Sequence, residues 1–190
     1  MKSLKMMPFG AALLSAVIVP LAGCSPDVAN AIPQQRIERG RYLVAATGCG
    51  DCHTPKMMTP QGPREDDGRL LAGFPQGTRL PPAPAGSGPW IASASWDQTA
   101  WAGPWGVSYA TNLTPDRNTG LGMWTEDMFV KAMRTGRHMG VSRPILPPMP
   151  WTALKNMSDE DLKAIYAYLR TIPSVSNRVP EPLPPAEAAR

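Results

Sequence analysis

The feature that most constrains this chain is a CxxCH run at residues 49–53, in which Cys49 and Cys52 are followed directly by His53. On a helical turn, two thiols at this spacing can each bond one vinyl group of a haem, and the next residue then lies beneath the iron. The motif therefore predicts one covalently attached haem c. Cys49 and Cys52 would form the thioethers, and His53 would be the proximal iron ligand.

Three other uses of the two thiols are open to a CxxC pair. A structural zinc site takes four Cys or His ligands, whereas the chain has three Cys and two His, and Cys24 is assigned below to lipidation. A thioredoxin-like redox pair needs a βαβ setting, and no alternating strand pattern precedes residue 49. A haem-free lipoprotein with a disulfide is the third alternative.

The first residues have the pattern of an export signal. Two lysines precede a short apolar run at residues 8–19, which is too short for a permanent membrane span. The Leu-Ala-Gly-Cys sequence that ends at Cys24 resembles the lipobox of bacterial lipoproteins. We expect residues 1–23 to be a lipoprotein signal peptide and Cys24 to be diacylated. An ordinary secretory signal cleaved near Ala22 is the alternative.

Both alternatives export the chain, as covalent haem attachment requires. We expect a lipid-anchored protein on the periplasmic side of a bacterial membrane, and Ser25 after the lipidated cysteine resembles the outer-membrane pattern. Cleavage would remove two Lys and no acidic residue, which lowers the formal net charge from +4 to +2. No basic run or RNA-binding motif indicates a nucleic-acid partner.

The chain that follows the signal is long enough for one domain of mainly α structure. We expect a tether over residues 24–32, a domain over residues 33–175 and a Pro-rich tail over residues 176–190. Three helices are predicted from their apolar spacing and their end signals. The first has Pro33 in its first turn and runs to about residue 46. The second begins after Thr125 and ends at Gly136. The third begins after Ser158 and ends before Pro173.

An insertion over residues 54–110 separates the CxxCH motif from the second helix. It is rich in Pro and Gly, and it carries four Trp between residues 90 and 105. Disordered segments are poor in aromatic residues, so we expect the insertion to be packed. It would form a lobe or flap over one haem edge, with a short hairpin; the alternative is a small satellite core of tryptophans.

The sixth ligand of the iron decides whether the haem is open or closed. The candidates after the signal are His138 and eight methionines. Met149 is distinguished by its prolines, because Pro147, Pro148 and Pro150 each fix the backbone around it. Little chain entropy is then lost when the thioether binds iron. We predict Met149 on a stiff methionine arm (residues 145–151), with His138 or an open site as alternatives.

Taken together, these motifs resemble those of the class I cytochrome c family. They are more closely similar to the haem domains that serve bacterial membrane-bound dehydrogenases, which have similar Asn-Leu-Thr-Pro-Asp, Thr-Gly-Leu-Gly-x-Trp and Pro-x-Met-Pro runs. The resemblance covers residues 33–175. It implies a class I cytochrome c fold of three to four helices around one haem, with a long irregular insertion. It also implies that Gly40 crosses the last helix near Tyr168 and Leu169.

The resemblance implies roles for residues around the haem. Trp124 would donate its indole N–H to a haem propionate, and Leu113 would pack on the macrocycle. Small family members usually have Pro where Thr111 stands, and its carbonyl accepts the Nδ1–H of the proximal histidine. Thr111 could offer the same carbonyl to His53. The alternative for Trp124 and Leu113 is an ordinary place in the core.

The expected function is one-electron transfer by a haem that cycles between ferric and ferrous iron. The protein would carry electrons from a dehydrogenase to an oxidase or another cytochrome, and it would not be an enzyme by itself. A haem sensor or peroxidase-like protein with an open or labile sixth site is the alternative.

Overall fold

A computed structural model describes residues 26–83 and 90–185, and their side chains from residue 33 onward. Cys24 and the predicted signal peptide lie outside these residues. Five α-helices and five short strands occur in the part described. In chain order they are α1 (Pro26–Ala46), α2 (Cys49–His53), β1 (Lys56–Thr59), β2 (Gly62–Glu65), β3 (Ser93–Ala94), β4 (Ala100–Gly103), β5 (Gly106–Tyr109), α3 (Glu126–Thr135), α4 (Trp151–Leu154) and α5 (Asp159–Leu169).

The core is built by α1, α3 and α5, whose apolar faces meet. Apolar residues three and four positions apart lie on one helix face, and α5 buries Leu162, Ile165 and Leu169 in this way. The core cluster consists of Leu43, Val44, Leu71, Leu121, Phe129, Ala132, Met133, Leu162, Ile165, Leu169 and Ile172. A mainly α fold is therefore confirmed. Of the helices described, none is both long and apolar enough to cross a membrane.

Capping residues set the ends of α3 and α5, as the sequence predicts. The Thr125 hydroxyl accepts a hydrogen bond from the backbone N–H of Met128, and Gly136 ends α3 in the left-handed conformation with φ 64°. The Ser158 hydroxyl accepts from the N–H of Asp161 at the start of α5. Each cap supplies a partner for a backbone group that a helix end leaves unpaired.

Gly40 is the point where α1 crosses α5. A Cβ atom on Gly40 would lie 1.9 Å from the carbonyl oxygen of Ala164 and 2.8 Å from the Cβ of Tyr168. Only a residue without a side chain allows this approach of the two backbones. The predicted crossing of Gly40 near Tyr168 is thus confirmed.

The start of α1 differs from the prediction. The helix begins at Pro26, so residues expected to form a tether are helical, and Pro33 lies inside the helix rather than in its first turn. An internal proline removes one helical hydrogen bond and disfavours the helix. Pro26 fits the first helical position, where its missing N–H has no intrahelical partner to lose, and α1 continues through Pro33.

The insertion is more regular than expected. Strands β1 and β2 form an antiparallel hairpin directly after the CxxCH motif, and β3, β4 and β5 form an antiparallel sheet. The tail joins this sheet through Leu183, which exchanges two backbone hydrogen bonds of 2.9 Å with Val107. The short hairpin predicted for the insertion is present. The three-stranded sheet goes beyond the expected irregular structure, because its strands of two to four residues are too short to show a clear alternation in the sequence.

The helix count also exceeds the predicted three to four. The two additional helices, α2 and α4, have five and four residues. Segments this short contain no full apolar period, so their sequences do not indicate a helix. The chain between α3 and α4 is irregular, as its prolines predict, apart from a 3₁₀ turn at His138–Gly140. Its Pro147–Pro148 peptide bond is cis.

Candidate haem site

The two cysteines of the CxxCH motif lie on α2, a single turn that begins after Gly48. Gly48 adopts a left-handed conformation with φ 67°, which turns the chain from α1 into α2. Both thiols are free and partly buried. Burial raises the pKa of the Cys49 thiol and also that of Cys52, where Lys56 opposes the shift. Burial therefore favours the protonated form of both thiols.

His53 ends α2, and its ring is almost fully buried, with 7% of the residue exposed. Its Nδ1 lies 2.7 Å from the carbonyl oxygen of Thr111. Because a carbonyl can only accept, Nδ1 carries the proton and Nε2 keeps its lone pair. Burial lowers the pKa of His53, although the bond to Thr111 opposes this. His53 is thus a neutral imidazole with Nε2 ready to bind a metal, and the expected Thr111 carbonyl contact is confirmed.

Hydrogen bonds connect His53 and Thr54 to a loop inside the insertion, and connect that loop to the chain after the insertion. The His53 carbonyl accepts from the N–H of Gly73 at 2.7 Å, and the Leu113 N–H donates to the Leu71 carbonyl at 2.9 Å. The hydroxyl of Thr54, which is fully buried, accepts from the N–H of Leu71 at 3.1 Å. The position of the His53 ring is therefore set by residues far from it in sequence.

Partly exposed apolar side chains collect beside this motif. Cys49, Leu113, Trp124 and Met149 are each half-buried, and all four pack against the core cluster. The predicted haem-contacting residues Leu113 and Trp124 thus pack against the same core cluster as Cys49 and Met149.

Trp124 is held by its backbone, and its indole N–H is free to bind an added group. The Tyr166 hydroxyl donates to the Trp124 carbonyl at 2.5 Å. Among the hydrogen bonds of the described residues, none involves the indole nitrogen. The ring of His138 packs edge-on against Trp124, with 5.0 Å between the ring centroids. His138, the alternative sixth ligand, thus contacts the predicted haem-contacting residue Trp124, and burial lowers its pKa.

Both ends of the methionine arm are joined to α3. The N–H of Ile145 donates to the carbonyl of Gly136 at 2.8 Å. At the other end the Trp151 ring packs over Gly136, where a Cβ would lie 2.4 Å from the indole. The backbone on both sides of Met149 is therefore fixed by the same residue, Gly136, as well as by the prolines.

The residues present fit a haem c and not a zinc ion. The site offers two free thiols on one helical turn and a neutral histidine whose Nε2 is available, together with the apolar side chains of Leu113 and Trp124. Within residues 26–83 and 90–185, no group of three or more His, Cys, Asp or Glu side chains is placed to hold a metal ion. The zinc alternative therefore has no support in this part of the chain.

Sequence reasoning missed Thr54 and Asn177 as supports of the site. Asn177 is buried and donates to the carbonyls of Ala72 and Phe74, while its side-chain oxygen accepts from Gln76. It therefore fastens the tail to the loop that carries Leu71 and Gly73. Its position in the Pro-rich tail offered no helical or strand pattern that could have indicated this contact.

Comparison with known proteins places the chain in a family. The sequence profile described as cytochrome c matches residues 37–173. A nicotinate dehydrogenase subunit of Pseudomonas putida is 30% identical over 177 residues, which cover 90% of this chain and 12% of that protein. The fructose dehydrogenase cytochrome subunit of Gluconobacter japonicus is 31% identical over 176 residues, which cover 90% of this chain and 29% of the relative.

A third relative is the gluconate 2-dehydrogenase cytochrome c subunit of Pantoea cypripedii. It is 31% identical over 147 residues, which cover 77% of this chain and 25% of the relative. This chain thus spans less than a third of the length of each of these three proteins. The profile match includes the CxxCH helix, the insertion, the methionine arm and α5, and on this basis the chain belongs to the cytochrome c family.

Proposed function

We propose that this protein is a membrane-anchored electron carrier in which one haem c is bound by Cys49, Cys52, His53 and Met149. The observation that carries the proposal is the buried, neutral His53 on the CxxCH turn, with Nδ1 held by Thr111 and Nε2 available. One haem is proposed because the chain contains a single CxxCH run. The haem, when bound, supplies reversible one-electron transfer between ferric and ferrous iron.

The protein's part in this function is to hold ligands and to exclude water. The Thr111 carbonyl fixes the tautomer and orientation of His53 and raises its basicity as a ligand. Leu113 and Trp124 would cover apolar surface of the haem, and the free indole N–H of Trp124 is suited to a propionate. Met149 would close the sixth site, and methionine ligation favours a relatively high reduction potential.

The names of the relatives support a dehydrogenase as the electron donor. Three similar proteins are a subunit of nicotinate dehydrogenase and the cytochrome subunits of fructose and gluconate 2-dehydrogenases. We infer that this chain accepts electrons from a dehydrogenase and delivers them to an oxidase or another cytochrome. It breaks no substrate bond itself, so it would act as a carrier or as the cytochrome subunit of a complex.

We further propose that the protein is exported and anchored by a lipid on Cys24, on the periplasmic side of a bacterial membrane. The lipobox-like sequence before Cys24 supports this. Expression of the whole chain with a radiolabelled fatty acid should label the wild-type protein and leave Cys24→Ala unlabelled. Equal labelling of the two proteins would contradict the anchor.

Covalent haem attachment is tested on a denaturing gel stained for haem peroxidase activity. The wild-type band should stain, because a thioether-linked haem survives the denaturant. The double variant Cys49→Ala with Cys52→Ala should lose the stain. A wild-type protein that does not stain would contradict covalent haem attachment and favour the haem-free lipoprotein with a disulfide.

Methionine ligation is tested by the far-red sulfur-to-iron charge-transfer band of the ferric protein. Met149→Ala should abolish this band, whereas Met139→Ala and His138→Ala should keep it. Loss of the band in Met139→Ala with retention in Met149→Ala would transfer the ligand role to Met139. A wild-type high-spin spectrum would instead favour a sensor or peroxidase-like protein with an open site.

A further inference from the structure

The insertion contacts the methionine arm through one buried hydroxyl. Ser108 lies on β5 and is 8% exposed. Its Oγ is 2.6 Å from the carbonyl oxygen of Pro147, two residues before Met149, and 3.4 Å from the carbonyl of Trp101. A hydroxyl has one proton to donate. The shorter distance assigns that proton to Pro147.

Trp105 fixes the orientation of this hydroxyl. Its indole N–H donates to the Ser108 Oγ at 3.3 Å. The Trp105 ring is in turn packed over Gly103, where a Cβ would lie 2.5 Å from the ring. The Ser108 oxygen therefore accepts from Trp105, and its proton is left for the arm.

The methionine arm has few backbone N–H groups that can donate hydrogen bonds. Pro147, Pro148 and Pro150 have no backbone N–H, so the arm has few donors of its own around Met149. Prolines fix the local backbone angles, and the contacts of Ile145 and Trp151 with Gly136 place the two ends of the arm. Ser108 adds a contact between these ends, at the Pro147 carbonyl.

The same strand also leads to the support of the other axial ligand. The chain leaves β5 at Tyr109 and reaches Thr111 three residues after Ser108, and the Thr111 carbonyl accepts from His53. β5 is held in place on both sides, by β4 and by the backbone bonds between Val107 and Leu183. Residues 108–111, which begin in β5 and continue past its end, thus contact both the proximal histidine and the methionine arm.

We propose that Ser108 is a positioning residue for the sixth ligand and that residues 108–111, where the insertion ends, brace both axial ligands. This inference rests on the proposed ligation by His53 and Met149. Loss of the Ser108 hydroxyl would let the arm, and with it the Met149 sulfur, leave the iron more often. Imidazole would then bind the ferric haem faster, because its entry waits for the methionine to leave.

The test compares Ser108→Ala with the wild-type holoprotein by stopped-flow binding of imidazole to the ferric form. We expect the variant to retain the far-red band and to bind imidazole about tenfold faster. A tenfold change corresponds to about 1.4 kcal/mol, which is the size of the net contribution of a hydrogen bond between neutral groups. Ser108→Thr keeps the hydroxyl and should bind imidazole at close to the wild-type rate.

The matched control is Thr171→Ala, which removes a hydroxyl bond of 2.7 Å to the Tyr168 carbonyl at the end of α5. This variant should bind imidazole at the wild-type rate. Equal rates in Ser108→Ala and the wild type would overturn the positioning role, as would the same acceleration in Thr171→Ala. A wild-type protein without the far-red band would instead overturn the proposed ligation, so the two failures are distinguishable.

Discussion

Replacement of Gly40 by alanine tests the crossing on which the helical core depends. The added Cβ would lie 1.9 Å from the Ala164 carbonyl oxygen, whereas real contacts of this kind stay above about 3.0 Å. The helices α1 and α5 would have to separate by roughly 1 Å, because the clashing atoms belong to backbone and to the root of a side chain. Overpacking of this kind costs about 3 kcal/mol at the upper end of its usual range.

Alanine also stabilises a helix by about 1 kcal/mol relative to glycine, so the net loss expected for Gly40→Ala is about 2 kcal/mol. For a chain of this size the midpoint of thermal unfolding should fall by about 4 to 8 °C. Urea unfolding of the holoprotein, followed by far-UV circular dichroism, measures the free energy directly.

The reverse change at an exposed position of α1, Ala45→Gly, serves as the control. It should destabilise by up to about 1 kcal/mol and so measures the propensity contribution without any clash. A Gly40→Ala protein as stable as the wild type, or more stable, would refute the close crossing. The same result would remove the packing reason for a glycine inside α1.

Two further predictions concern the tail and the helix pair. Asn177→Ala should lower the free energy of unfolding by about 2 to 3 kcal/mol, because the carbonyls of Ala72 and Phe74 lose a buried donor; a change below about 0.5 kcal/mol would contradict this role of Asn177. The Arg39 hydrogen bond lowers the pKa of Asp161. Its stabilisation is present above the unfolded pKa of about 3.9 and is lost as the pH falls through the lower folded pKa. On acidification below about pH 4, the free energy of unfolding of Asp161→Asn should therefore fall less than that of the wild type. An equal fall in the two proteins would show that the Arg39–Asp161 pair does not contribute to stability.

The helices could be predicted where local residues decide them. Ser158 before an apolar repeat and Gly136 after one each act within a single helical turn, so α5 and α3 have their expected ends. The upstream extension of α1 was missed because Pro26 and Pro33 can each occupy a first helical position, and a rule for helix starts does not choose between them. The crossing of Gly40 with α5 was implied by the resemblance to the class I cytochrome c family, because no local pattern in α1 identifies the partner helix.

In the candidate site, too, some residues could be predicted from the sequence and others could not. The CxxCH spacing and the prolines around Met149 carry chemical information that the sequence displays directly. The supports of these residues are distant in sequence: Ser108 reaches Pro147 across 39 residues, and Asn177 reaches Ala72 across 105. The Ser108 contact lies on β5, in a sheet whose strands are too short to be recognised from periodicity, and the Asn177 contact comes from the tail, which has no regular pattern.

The central claim is that the iron is closed by the protein on both sides and works as a carrier. Addition of carbon monoxide to the dithionite-reduced holoprotein tests it most directly, with Met149→Ala as the variant whose sixth site is opened. The ferrous wild-type spectrum should stay unchanged while that of Met149→Ala shifts to a carbon monoxide complex. Rapid formation of the complex in the wild type would contradict the carrier account and establish an open or labile site.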